Sequence, residues 1–185
     1  MKLIDTTIPD VKIIEPDVYG DARGFFLESW NRRSFREIGL DIAFVQDNHS
    51  RSSRGILRGL HYQVRHPQGK LVRVTSGCVF DVAVDLREAS PTFGQWVGVE
   101  LSADNHRMIW IPPGFAHGFY VLSPSADFIY KTTDYYMPEH ERSIRWDDED
   151  LAIEWPLVDG NPPLLAEKDR QAKRFRDSEF SDERR

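Results

Sequence analysis

Three short stretches of the chain carry side chains suited to moving a proton. "ILRGLHYQ", residues 56–63, places His61 in a segment that reads as a strand. "QGKLVRV" opens another strand at Lys70, and "ADFIYKTTDYY" supplies Tyr130, Tyr135 and Tyr136. An imidazole exchanges protons near neutral pH, so His61 suits a general base. A lysine ammonium can hold the oxyanion that develops when a proton leaves a carbon beside a carbonyl, and Lys70 is the candidate. Inverting that carbon needs a second acid on the opposite face, a task a tyrosine can perform. Tyr130 shares a strand face with Phe128 and Thr132, while Tyr135 and Tyr136 stay open as alternatives. Each group also has a plain structural reading: a strand histidine can be a hydrogen-bonded core residue, and a tyrosine can pack a wall.

Polar groups on the same strands fit an anionic ligand. Gln46 and Asn48 in "FVQDNHS" are two apart and face the same way. Arg58 has the planar donor fork that suits phosphate, and Arg23 in "GDARGFFLES" is a second candidate. Arg58 and His61 are three apart, so strict alternation would separate them. For both to face one cavity the strand must bulge, and Gly59 is the natural place. A metal site is a weaker fit. "PPGFAHGF", carrying His117, resembles the second motif of metal-binding cupins, but Tyr62 and Gln63 follow His61 where a second histidine would be needed. His61, His117 and a remote carboxylate would only just supply three ligands, and Lys70 would repel a cation. The expectation from these residues is no metal. His66, His106 and His140 lie among turn residues and read as surface, and His49 carries no assignment.

The elements that must hold these groups show period-2 alternation. In "VFDVAVDL", Phe80, Val82, Val84 and Leu86 share one face, with Val79, Asp81, Ala83 and Asp85 on the other. "KLVRVTS", "QWVGVELS", "RMIWIPP", "HGFYVLS" and "ADFIYKTTDYY" also read as strands, separated by turn signals at 76–77, 90–94, 102–106 and 123–126. The pattern predicts an all-β sandwich or jelly-roll barrel. Two segments read as helices: "NRRSFREIG", stopped by Gly39, and "PLLAEKDRQAKRF" near the C-terminus. One domain over residues 1–175 is expected, followed by a frayed tail at 176–185.

Composition narrows the function classes. With 185 residues, 40% hydrophobic and 29% charged, the chain is sized for one globular domain. A net charge of -6 argues against a general nucleic-acid binder, though not against a small anion held by a few basic groups. No apolar run approaches the ~18 residues of a membrane span. The N-terminal residues lack the apolar stretch of a signal peptide, and the single cysteine, Cys78, reads as packed rather than reactive. A cytoplasmic location is the expectation.

"GDARGFFLESW", "FVQDNHS", "LRGLHYQ", "QGKLVRV", "VFDVAVDLR", "SPTFGQWVGVELS", "WIPPGFAHGF", "YKTTDYY" and "AEKD" follow one another in this order. Together they closely resemble the dTDP-4-dehydrorhamnose 3,5-epimerases, over roughly residues 1 to 170. The resemblance implies a cupin-like jelly roll that works as a homodimer without cofactor or metal. It implies epimerisation at C3 and C5 of dTDP-4-dehydro-6-deoxy-D-glucose, giving dTDP-4-dehydro-L-rhamnose. It assigns the base to His61, its partner carboxylate to Asp169, the proton donor to Tyr130 and the ketone-side cation to Lys70, with His117 behind them. It places nucleotide and diphosphate contacts on Gln46, Asn48, Arg58, Glu141 and Lys168, with Arg23, Phe26 and Glu28 reaching into a neighbouring subunit's site. The loop "VRHPQG", residues 64–69, would tune access. Three other readings share parts of this pattern: an epimerase of one carbon only, a sugar-nucleotide-binding module without chemistry, and a metal-dependent cupin oxygenase. A binding module needs no base with an opposed acid, which weighs against it.

Overall fold

The computed structural model of the protein describes residues 1–180. Its strands are β1 (Lys2–Asp5), β2 (Lys12–Glu15), β3 (Val18–Asp21), β4 (Gly24–Leu27), β5 (Gln46–Ser53), β6 (Leu57–Gln63) and β7 (Lys70–Ser76). They continue with β8 (Cys78–Asp85), β9 (Trp96–Ser102), β10 (Met108–Ile111), β11 (Phe115–Val121), β12 (Ser125–Thr132) and β13 (Glu141–Ser143). The two α-helices are α1 (Arg32–Glu37) and α2 (Glu167–Arg170). One sheet has six strands in the order β1-β2-β10-β7-β12-β5, and a second has five in the order β13-β6-β11-β8-β9. All pairings between these strands are antiparallel. The hairpin β3-β4 stands apart from both sheets.

The sheets face one another across a core of inward side chains. Val72, Val74, Ile109 and Phe128 from the six-stranded sheet meet Val79, Val99, Phe119 and Val121 from the five-stranded one. The outer faces of the central strands are also covered, so those strands are apolar on both sides rather than half polar. Ile14, Leu71, Met108 and Trp110 pack under Phe35 of α1. Val82, Val84, Ala116 and Tyr120 pack under Ile144, Leu151 and Trp155 of the C-terminal segment. This explains β8, whose two alternating sets divide between the two cores. It is the all-β, jelly-roll type of sandwich that the alternation predicts.

The helical expectations hold unequally. Asn31 caps α1 by accepting from the Arg33 amide, and Gly39 ends the turn at φ +93. The C-terminal segment is helical only over one turn, Glu167–Arg170, rather than from 163 to 175. No side chain caps it, and bridges Ile56↔Leu164 and Ile144↔Lys173 pull the chain into extended form on either side. The tail is also corrected in part. Arg176 pairs with Asp150, Tyr62 donates its hydroxyl proton to the Glu179 carbonyl, and Phe180 packs on the outer core. Residues 176–180 are therefore held, and 181–185 lie outside the described residues. Among the described residues, no helix is long and apolar enough to cross a membrane.

Candidate active site

A cavity of ≈ 400 Å³ opens between the two sheets, within the ~300–1,000 Å³ usual for small-molecule sites. His61 reaches it from β6, Lys70 from β7, His117 from β11 and Tyr130 from β12. Gln46, Asn48 and Arg58 line it from β5 and β6, while Glu141, Lys168 and Asp169 arrive from β13 and α2. Ten of the thirteen residues singled out in the sequence thus converge on one space. Arg23, Phe26 and Glu28 do not. They sit on or just after the β3-β4 hairpin, outside the cavity, with Phe26 69% exposed and Arg23 paired to Asp21.

Strand geometry resolves the conflict between Arg58 and His61. On β11, Phe119 faces Arg58 and His117 faces His61, so two steps on one strand match three on the other. The extra residue is a bulge at Gly59, whose φ of +136 is open only to glycine. A Cβ there would lie 2.4 Å from the Gly118 Cα, so the close approach of β6 and β11 also requires glycine. The bulge brings the Arg58 and His61 side chains to the same cavity.

The His61 Nε2–H donates to Asp169 Oδ1 at 2.6 Å, across 108 residues of sequence. The Asp169 side chain is 1% exposed and that of His61 21%. A carboxylate accepts only, so this contact puts the neutral ring's proton on Nε2 and leaves Nδ1 with a lone pair. A second histidine pair lies behind it. His117 Nε2 contacts Asp81 Oδ2 at 2.9 Å, both side chains buried. Burial lowers the His117 pKa, with Asp81 opposing that shift. Asp81 took no role in the sequence reading. Its one signal is a charge set between Val79 and Ala83 on a β8 face whose other charge is Asp85.

Lys70 is 8% exposed, and loss of water pulls its ammonium down from 10.5 to about 8, with Asp81 and Glu141 holding it from falling further. Burial, and then the negative charge of Glu141, raises the Tyr130 pKa and keeps the phenol protonated. At the mouth, Lys168 Nζ meets Glu141 Oε2 at 2.9 Å, and Tyr136 donates to the same oxygen at 3.1 Å. Gln63 steadies this rim by accepting from the Met137 amide and donating to the His66 carbonyl. Gln46 Nε2 donates to Asn48 Oδ1, while Asn48 Nδ2 is buried without a partner. Among the described residues, no three His, Cys, Asp or Glu side chains are arranged to hold a metal ion. The arrangement offers a base, a cation and a protonated phenol around one space, with basic groups at its edge.

The family model described as dTDP-4-dehydrorhamnose 3,5-epimerase matches residues 5–177. The dTDP-4-dehydrorhamnose 3,5-epimerase of Pseudomonas aeruginosa is 64% identical over 180 residues, covering 97% of this chain and 98% of that protein. The crystal structure of dTDP-6-deoxy-D-glucose-3,5-epimerase from Legionella pneumophila, in complex with dTDP-4-keto-L-rhamnose, matches with a TM-score of 0.93. Its sequence identity is 58%, covering 96% of this chain and 94% of that one. A 3'-monoepimerase from Streptomyces bikiniensis, in complex with dTDP-quinovose, matches with a TM-score of 0.85. It is 34% identical, covering 92% of this chain and 86% of that one.

Proposed function

The chain belongs to the dTDP-4-dehydrorhamnose 3,5-epimerase family, an isomerase of dTDP-L-rhamnose biosynthesis, and we propose that His61, Asp169, Lys70 and Tyr130 carry its chemistry. Its reaction inverts C3 and C5 of dTDP-4-dehydro-6-deoxy-D-glucose. Both carbons flank the C4 ketone, so one carbonyl acidifies both protons. His61 removes the proton, with Asp169 fixing the ring's tautomer and stabilising the imidazolium. The Lys70 ammonium holds the enolate oxygen. Tyr130 returns a proton to the opposite face. Each inversion moves one proton from carbon to His61 and one from Tyr130 to carbon, so the pair must exchange a proton before the next. No redox change occurs, and the reading calls for no cofactor or metal.

The observation that carries this reading is the 2.6 Å contact of His61 with buried Asp169, in the same cavity as Lys70 and Tyr130. Arg58, Lys168, Gln46, Asn48 and Glu141 hold the nucleotide and diphosphate at the rim, and His117 supports the floor beside His61. One domain supplies this entire set. Arg23, Phe26 and Glu28 serve a second copy of the chain, because a hairpin exposing Val18, Tyr19, Phe25 and Phe26 reads as an arm awaiting a partner. A homodimer in the cytoplasm, where nucleotide sugars are made, completes the reading.

Inversion of a single carbon would use the same side chains. The 64% identity to a 3,5-epimerase, against 34% to a 3'-monoepimerase, favours two inversions. Turnover of dTDP-4-dehydro-6-deoxy-D-glucose, followed by trapping with a 4-ketoreductase, tests the point. An L-rhamnose product supports the reading, and a product inverted at one carbon overturns it.

A further inference from the structure

Four polar residues of β5, Gln46, Asn48, Ser50 and Ser52, stand at alternate positions and so share one face. The first three line the cavity. Ser52 is the most buried of the row, 4% exposed, and lies opposite Ala126 of β12. Its hydroxyl oxygen accepts from Arg58 Nε at 2.9 Å. β5 and β6 belong to different sheets, so this contact crosses from one sheet to the other beside the cavity that Arg58 lines. Among the described residues it is the only side-chain hydrogen bond of the Arg58 guanidinium, which makes no ion pair and keeps both Nη groups for a ligand. Arg51 is the contrast: its Nε and Nη2 both donate to the Asp127 carboxylate.

We propose that Ser52 is a positioning residue for the diphosphate: it pins Arg58 by Nε and so sets the two Nη groups as a fork for a phosphate. This rests on the reading of Arg58 as a diphosphate contact. A guanidinium on a flexible stem must lose rotational freedom before it can hold a phosphate through two parallel hydrogen bonds. A contact already made at Nε takes up part of that loss before the ligand arrives. The chemistry of the anchor matters as much as its place. A carboxylate at Nε neutralises the charge that attracts a phosphate, as Asp127 does for Arg51. A hydroxyl is neutral, so it orients the fork and leaves its charge whole.

Calorimetric titration with dTDP of the wild type, Ser52→Ala, Arg58→Ala and the double variant tests this, with steady-state kinetics alongside. Ser52→Ala is expected to weaken dTDP binding by about 3- to 10-fold and to raise KM equally, while kcat stays within about twofold. In an Arg58→Ala chain the same serine change is expected to cost nothing more, because the group it positions is gone. Ser52→Thr, which keeps the hydroxyl, is expected to retain wild-type affinity. Unchanged affinity in Ser52→Ala, or the same loss with and without Arg58, overturns the inference while leaving the diphosphate reading of Arg58 intact. Unchanged affinity in Arg58→Ala overturns both. Should Ser52→Ala not fold by circular dichroism, Ser52→Cys, close in size and a weak acceptor, decides in its place.

Discussion

Lys70 holds its ammonium almost wholly out of water, and that has opposite consequences for activity and stability. The amine ionises at about 8 rather than 10.5. As an enolate holder it must be charged, so kcat/KM is expected to fall as pH rises through about 8, measurable as a pH–rate profile. Stability runs the other way. Between about 8 and 10.5 the unfolded chain binds a proton that the folded chain does not, so stability rises with pH across that window. Below it the full cost is present, and the shift from 10.5 to about 8 corresponds to roughly 3 kcal/mol. Lys70→Met is thus expected to raise stability at pH 7 by up to about 3 kcal/mol in urea unfolding while destroying turnover. Tyr130→Phe separates a different pair of effects. It removes the opposed acid but leaves the base, so inversion should slow by on the order of 100-fold while exchange of the substrate's carbon-bound protons with solvent persists. Equal inversion rates would exclude Tyr130 as the donor.

The elements matter because they bring residues remote in sequence into one space. The bulge at Gly59 is the clearest case. Gly59→Ala is expected to destabilise the protein by about 1–3 kcal/mol from the backbone alone, with more from the 2.4 Å approach to Gly118. Surviving protein should lose activity, because a regular β6 turns Arg58 or His61 away. A variant of unchanged melting temperature and rate would contradict this account of the strand. The bulge was legible in the sequence, since two inward groups three positions apart break strict alternation and a glycine stood between them. The strand faces of β8 and β12 were legible for the same reason, alternation being a local property. The one-turn length of α2 was not, because it depends on bridges to Ile56 and Ile144, far away in the chain. Asp169 was reached only through family resemblance: a carboxylate on a C-terminal helical turn gives no local sign that it will be buried against His61. Asp81 was visible as a charge between Val79 and Ala83, but its partner His117 lies 36 residues on.

At the scale of the whole molecule, the chain supplies ten of the thirteen candidate site residues to its own cavity and holds three on or just after an exposed hairpin. If that hairpin completes the site of a second copy, inactive variants should rescue one another. An Asp169→Ala chain has a sound hairpin, and a chain carrying Arg23→Ala and Phe26→Ala has a sound cavity. Co-expressed, they should recover about a quarter of wild-type activity, since half of random dimers are mixed and one site in each is whole. Activity no higher than that of the separate variants would show that each chain works alone.

The central claim is that one base, His61, removes both the C3 and the C5 proton. Proton NMR of dTDP-4-dehydro-6-deoxy-D-glucose in deuterated water, with wild-type protein and with His61→Ala, tests it most directly. The account predicts that the wild type washes out both the H3 and H5 signals and that His61→Ala, still binding dTDP, washes out neither. Retention of either exchange at a wild-type rate in His61→Ala would contradict it.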